Sequence, residues 1–200
     1  MRRPRLLLTG FGPFPGAPRN PTEVVVARLA ARADLAARIE IVGRVLSVTW
    51  AAITGFETIL AETRPDAVLL LGLARRASVV RVETRARNRI LTAAVDAAGR
   101  PPPARLEGAD AAFRPARAPV RAMVAAIAGL GLPATVSDDA GAYLCNALMW
   151  RALGARPMRP TAFVHLPPTR EVAPRSPWRA VDLERAVAAA IGPLTAAIGR

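Results

Sequence analysis

The chain contains no lysine, a single cysteine, a single histidine and few aromatic residues, 4% of 200. One cysteine excludes an internal disulfide and suits a reducing compartment. Long apolar runs are missing as well. Nothing approaches a membrane span, and Leu6-Leu7-Leu8 is too short for the hydrophobic region of a signal peptide despite the preceding Arg2, Arg3 and Arg5. A soluble cytoplasmic protein without a membrane partner is therefore expected. With lysine absent, the net charge of +13 rests on arginine alone. Such a charge attracts polyanions, but the arginines are scattered among alanine and proline, with no basic block and no aromatic platform for stacked bases. Nucleic acid is accordingly not expected as a partner, and an anion-binding module stays open as a rival reading.

What is present points to an α/β protein. Two hundred residues suit one domain, expected to span 1–200, and suffice for a layered core. The 52% hydrophobic content is mostly Ala, Val and Leu, which fits helices packed on a sheet. Patterning predicts strands over 5–9, 39–48, 66–73, 79–88, 135–137 and 161–165. Helices are predicted over 21–33, 50–63, 120–131, 143–153 and 178–198, with Pro193 kinking or ending the last. Asn20-Pro-Thr-Glu23 reads as a helix start, Asn as N-cap and Pro at the first helical position. The Pro, Ala and Arg-rich stretch 98–119 reads as a long surface excursion, either a cover for a cleft or a disordered loop.

The segment Ser137-Asp-Asp-Ala-Gly-Ala-Tyr-Leu-Cys145-Asn-Ala-Leu-Met-Trp150 places the lone cysteine where a loop becomes a helix. Unpaired N–H groups and the positive end of the helix dipole favour a thiolate there and could receive an oxyanion. A thiol nucleophile also needs an imidazole to carry its proton and a group to orient that imidazole. His165 ends an apolar strand, and Glu83 sits on an alternating strand flanked by Arg81, Arg85 and Arg87. Each has a plainer role open to it: an inert core thiol, a structural imidazole, a surface ion pair. If their strands are neighbours, the three groups converge at the sheet's edge. The loop Gly10-Phe-Gly-Pro-Phe14-Pro-Gly16 carries two rings. Phe11 and Phe14 either plug the core or form an apolar slot for a flat, uncharged ligand group.

Leu8-Thr-Gly-Phe-Gly-Pro-Phe14, Asn20-Pro-Thr22, Ala140-Gly-Ala-Tyr-Leu-Cys145-Asn146 and Phe163-Val-His165-Leu-Pro167 run in this order nearly end to end. Together they resemble the signature segments of the pyroglutamyl peptidase I, or pyrrolidone-carboxylate peptidase, family of cysteine exopeptidases. The resemblance implies a three-layer α/β/α sandwich around a twisted mixed sheet, phosphorylase/hydrolase-like in architecture. It implies removal of an N-terminal pyroglutamyl residue from peptides through a thioacyl-enzyme, with no metal or organic cofactor, in a dimer or tetramer. Residue by residue, Cys145 matches the nucleophile, His165 the general base and acid, and Glu83 the orienting carboxylate. Phe11 and Phe14 match the rings that hold the lactam, and Asn20, Leu73, Tyr143 and Leu144 complete the implied substrate-binding set.

Some positions depart from the family pattern. After the strand over 66–73, Arg75 and Arg76 stand where small residues are usual, and Ala77 where an arginine is. Thr84 follows Glu83 in place of an arginine, and Asp138-Asp139 replace Asn and Ser or Thr. These changes predict a narrowed or charged cleft. They motivate a second reading, a divergent member that binds lactam or peptide with altered or lost hydrolysis. Phosphorylase chemistry is a weaker alternative by fold analogy.

Overall fold

Strand β1 (Arg5–Phe11) lies inside a sheet because both its faces are apolar: Leu6 and Leu8 enter one core, Leu7 and Phe11 the other. The same alternation recurs on β3 (Ala67–Leu73), where Leu69 and Leu71 oppose Val68 and Leu70. On β8 (Thr161–Leu166), Ala162, Val164 and Leu166 oppose Phe163. With β2 (Glu40–Leu46), β4 (Val80–Glu83) and β7 (Ala134–Ser137), these strands form a six-stranded sheet in the order β2-β1-β3-β8-β4-β7. The computed structural model describes residues 2–106, 108, 111–155 and 158–199.

Every pairing is parallel except β4 with β8, where Arg81 faces His165 and Val82 faces Val164. A mixed sheet of this kind needs a helix on each face. One layer holds α1 (Pro21–Ala30), α5 (Val120–Ala128) and α7 (Ala180–Thr195), burying Val25, Leu29, Met123, Ile127, Leu183 and Val187. The other holds α3 (Trp50–Thr54), α4 (Phe56–Thr63) and α6 (Leu144–Ala155), burying Trp50, Ile53, Phe56, Leu60, Leu148 and Trp150. A single turn, α2 (Ala33–Ala36), precedes β2. This mostly parallel sheet between helical layers is the expected α/β/α arrangement. Among the described residues no helix is long and apolar enough to cross a membrane.

Three elements differ from the sequence expectation. The helix over 50–63 is two helices that share Gly55 as cap. The strand over 79–88 ends at Glu83, because the Thr84 N–H and hydroxyl both bond to the Ser137 carbonyl at 2.7 and 3.0 Å. The chain then leaves the sheet as β5 (Arg85–Arg87) to pair with β6 (Phe113–Pro115). That pairing gives part of the 98–119 stretch regular structure, while Glu107, Ala109 and Asp110 lie outside the described residues. Helix α7 continues past Pro193 to Thr195, where a missing N–H near the last turn costs little.

Candidate active site

Glu83 and His165 come together on one face of the sheet, His165 being the last residue but one of β8. Because β4 runs antiparallel to β8, Glu83 approaches His165 from the sheet's interior and is fully buried. The His165 Nδ1 lies 2.8 Å from Glu83 Oε1. The surface ion pair open to Glu83 from sequence is thus corrected: its partner is the imidazole. Arg85 and Arg87 instead pair with Asp138, at 3.3 and 3.1 Å. The second carboxylate oxygen, Oε2, is buried with no hydrogen-bond partner among the described residues. The His165 ring leans on Phe163, centroids 4.8 Å apart.

Cys145 reaches the same face from α6, not from a strand. It is the second residue of that helix, and the first ladder bond runs from the Ala147 N–H to the Tyr143 carbonyl. The N–H groups of Leu144, Cys145 and Asn146 therefore precede the ladder and form the helix's positive end. The thiol is half-buried, so it is open to a ligand. It sits over Gly72, where a Cβ would lie 2.9 Å from Sγ and 2.8 Å from Cζ of Phe163. Gly72 is the register partner of His165. Burial alone would drive the imidazolium towards neutrality. Hydrogen bonds from His165 to Cys145 and Glu83, with the charges of both, outweigh that effect and raise its pKa from 6.5 to about 9.

A cavity of about 210 Å³ opens beside the sulfur. Phe11, Phe14, Asn20, Leu73, Tyr143, Leu144 and Cys145 line it, all named from the sequence, together with Val48 and Arg75. Asn20 also serves the fold. Its carbonyl oxygen accepts from the Thr22 N–H and hydroxyl at 3.1 and 2.9 Å, and its amide donates to the Gly12 carbonyl at 3.0 Å. The Tyr143 hydroxyl donates to the Val95 carbonyl at 2.9 Å, and its ring meets Trp50 edge-on. Burial first, then the charges of Asp96 and Cys145, raises the Tyr143 pKa, so it stays a phenol. None of the described residues of 98–119 lines this cavity.

Sequence reasoning missed three supports. Val48 lies on the loop after β2 and nothing in its type marks it as a wall. Asp96 accepts from the backbone N–H groups of Trp50, Ala98 and Arg100, each at 2.9 Å, and so pins the segment behind Tyr143. Asn146 is buried and clamps β5 to α6 through Arg87 and Arg89 backbone groups. Its place directly after the cysteine, a polar side chain in the otherwise apolar stretch 144–150, was the available signal. Among the described residues no three His, Cys, Asp or Glu side chains gather as metal ligands.

A family model described as pyroglutamyl peptidase matches residues 4–198. A pyrrolidone-carboxylate peptidase of Gloeobacter violaceus is 37% identical over 183 residues, 88% of this chain and 87% of its own. One from Oceanobacillus iheyensis is 33% identical over 200 residues, 94% of this chain and 98% of its own. Among solved structures, a mutant pyrrolidone carboxyl peptidase from Pyrococcus furiosus superposes with a TM-score of 0.87 at 26% identity, covering 96% of this chain and 98% of that one. Pyroglutamyl peptidase I from Bacillus amyloliquefaciens does so with a TM-score of 0.87 at 25% identity, covering 98% and 96%.

Proposed function

The chain belongs to the pyroglutamyl peptidase family, a cysteine peptidase that removes N-terminal pyroglutamate, and we propose that Cys145, His165 and Glu83 carry out its reaction. The observation that carries the assignment is the 2.8 Å contact of His165 with buried Glu83 beside a half-buried thiol on the cavity wall. Nδ1 donates to Glu83, which turns Nε2 towards the sulfur. The high imidazole pKa keeps the proton on His165 at neutral pH, beside the sulfur at the positive end of α6.

The lactam ring enters the cavity between Phe11 and Phe14. Among the described residues no carboxylate lines that wall, so a free α-ammonium would be desolvated without a counter-charge and is rejected. Sγ attacks the pyroglutamyl carbonyl carbon, and the N–H groups at the start of α6 hold the oxyanion. As the C–N bond breaks, His165 gives its proton to the leaving amine. Water then loses a proton to His165 and attacks the thioester, the C–S bond breaks, and free pyroglutamate departs with the thiolate restored. We assign all of this to one domain over 1–200, working in the cytoplasm, where a reducing setting preserves the thiol. A dimer or tetramer belongs to the same reading. The departures from the family pattern lie outside the three reacting groups, so loss of hydrolysis is not favoured.

Activity should report the imidazole directly. Because its pKa is raised, His165 keeps its proton as pH climbs past 6.5 and loses it near 9. The kcat/KM of a pyroglutamyl-coupled fluorophore is expected to hold through pH 8 and fall above about 9. An alkaline limb at pH 6.5 to 7 would remove His165 as the proton donor.

Gly72→Ala tests the fit beneath the sulfur. A methyl group there meets Cys145 Sγ and the ring of fully buried Phe163, and the sulfur is the freer of the two to move. A shift of that size is expected to lower kcat by about 10- to 100-fold. An unchanged kcat would show that the sulfur position is not restricted.

A further inference from the structure

Among the described residues Arg75 is the one arginine on the wall of the cavity, and we infer that it selects peptides carrying a carboxylate on the leaving side of the scissile bond. The inference rests on Cys145 being the nucleophile. Its guanidinium crosses from the loop after β3 to the turn Phe14–Ala17, where Nη1 lies 3.0 Å from the place a Cβ on Gly16 would occupy. That turn is closed by reciprocal backbone bonds of Phe14 and Ala17, at 3.2 and 2.9 Å, and Phe14 lines the cavity too. A side chain at Gly16, whose φ is +89°, would displace the guanidinium.

Arg75 is exposed, and among the described residues no carboxylate or carbonyl accepts from it. Arg19 and Arg170 differ: Glu171 is held below its usual range by a Thr169 hydrogen bond first, then by its own backbone and the charges of those two arginines, so they have a carboxylate nearby. Arg75 alone among the wall residues keeps its donors for a ligand. The remaining wall is apolar apart from Asn20, the Tyr143 hydroxyl and the thiol, which leaves the lactam to fill it. The peptide beyond the scissile carbonyl then extends out of the cavity on whose wall the exposed guanidinium stands. A carboxylate there is attracted and forms charge-assisted hydrogen bonds, while an ammonium is repelled. The carboxylate has two sources: the side chain of an acidic second residue, or the α-carboxylate of a pyroglutamyl dipeptide.

The test compares kcat/KM for pyroglutamyl peptide amides with Asp, Ala or Lys as second residue, and for pyroglutamyl-alanine as acid and amide. Wild type is expected to prefer Asp over Lys by about tenfold at low salt, the size of one exposed attraction plus one repulsion, and less in 1 M salt. Arg75→Gln brings the ratio to about one, Arg75→Glu inverts it, and Arg75→Lys retains part. The ratio is internal to each protein, so partial misfolding of a variant does not alter it. A preference for the free acid of the dipeptide over its amide, without one for Asp over Lys, assigns the α-carboxylate as the group read. Equal rates for all these peptides in wild type, or ratios untouched in both Arg75→Gln and Arg75→Glu, overturn the inference while leaving the peptidase assignment standing. No turnover of the neutral peptide by wild type would remove both.

Discussion

Replacing Cys145 by alanine is expected to cut release of a pyroglutamyl-coupled fluorophore by about 10⁵-fold or more, the scale seen when a covalent nucleophile is deleted. No side chain nearby can take over. Among the described residues the cavity wall holds no serine or threonine, and the chain has no second cysteine. What survives is the polarisation offered by the N–H groups at the start of α6, which stabilises an oxyanion only if something attacks. Cys145→Ser is expected to lose nearly as much, because a hydroxyl is a far weaker nucleophile than a thiol at neutral pH. The fold should persist in both, since the thiol is half-buried at a helix start and packs against the rim of the core, not inside it. Undiminished turnover in Cys145→Ala with a normal thermal melt would end the assignment of the nucleophile.

How much of this was readable in advance depended on range. Residues whose role is local were legible: Asn20 caps α1 as its spacing with Pro21 and Thr22 implies, and the continuous apolar runs of β1 and β3 lie centrally. Phe11 and Phe14 stood out because large rings are unusual on a Gly/Pro loop, and both line the cavity. Roles fixed by strand direction were not legible. Nothing in the pattern of 79–88 says that β4 turns antiparallel to β8, and that reversal decides whether Glu83 meets solvent arginines or a buried imidazole. Nor does local pattern reveal that Thr84 ends the strand through Ser137, 53 residues away. Composition drew attention to 98–119, as a cover or a disordered loop, but none of its described residues lines the cavity; Tyr143 does, held by the distant Val95 carbonyl.

Contacts within the fold also place Ala77, Thr84 and Asp138 in local supporting roles. Ala77 is buried in the turn that closes with its N–H on the Ala74 carbonyl, and Thr84 is occupied with Ser137. Asp138 pairs with Arg85 and Arg87, which holds the loop leading to α6. Only Arg75 projects onto the cavity wall. Divergence is thereby concentrated at the mouth, where it can alter which peptides are accepted without displacing sulfur, imidazole or carboxylate.

Glu83→Gln separates the charge of the orienting group from its shape. The amide oxygen can still accept from Nδ1, so the imidazole keeps its direction, but its protonated form loses a buried counter-charge. A fall in kcat/KM of about 10³- to 10⁴-fold is expected, as when the carboxylate behind a catalytic imidazole is neutralised. The alkaline limb should move below 9, because Glu83 contributes to raising the His165 pKa after Cys145 does. Stability follows with its own sign. A folded pKa raised above 6.5 gives stability that is complete below 6.5 and lost as pH rises through about 9, so the wild-type melting temperature should decline over that window. In Glu83→Gln the decline should be smaller and end at lower pH. At neutral pH the loss of stability is offset in part, since the variant no longer buries a carboxylate with Oε2 unpartnered. Full activity in Glu83→Gln, or an alkaline limb that stays at 9, would show that the carboxylate does not act through His165.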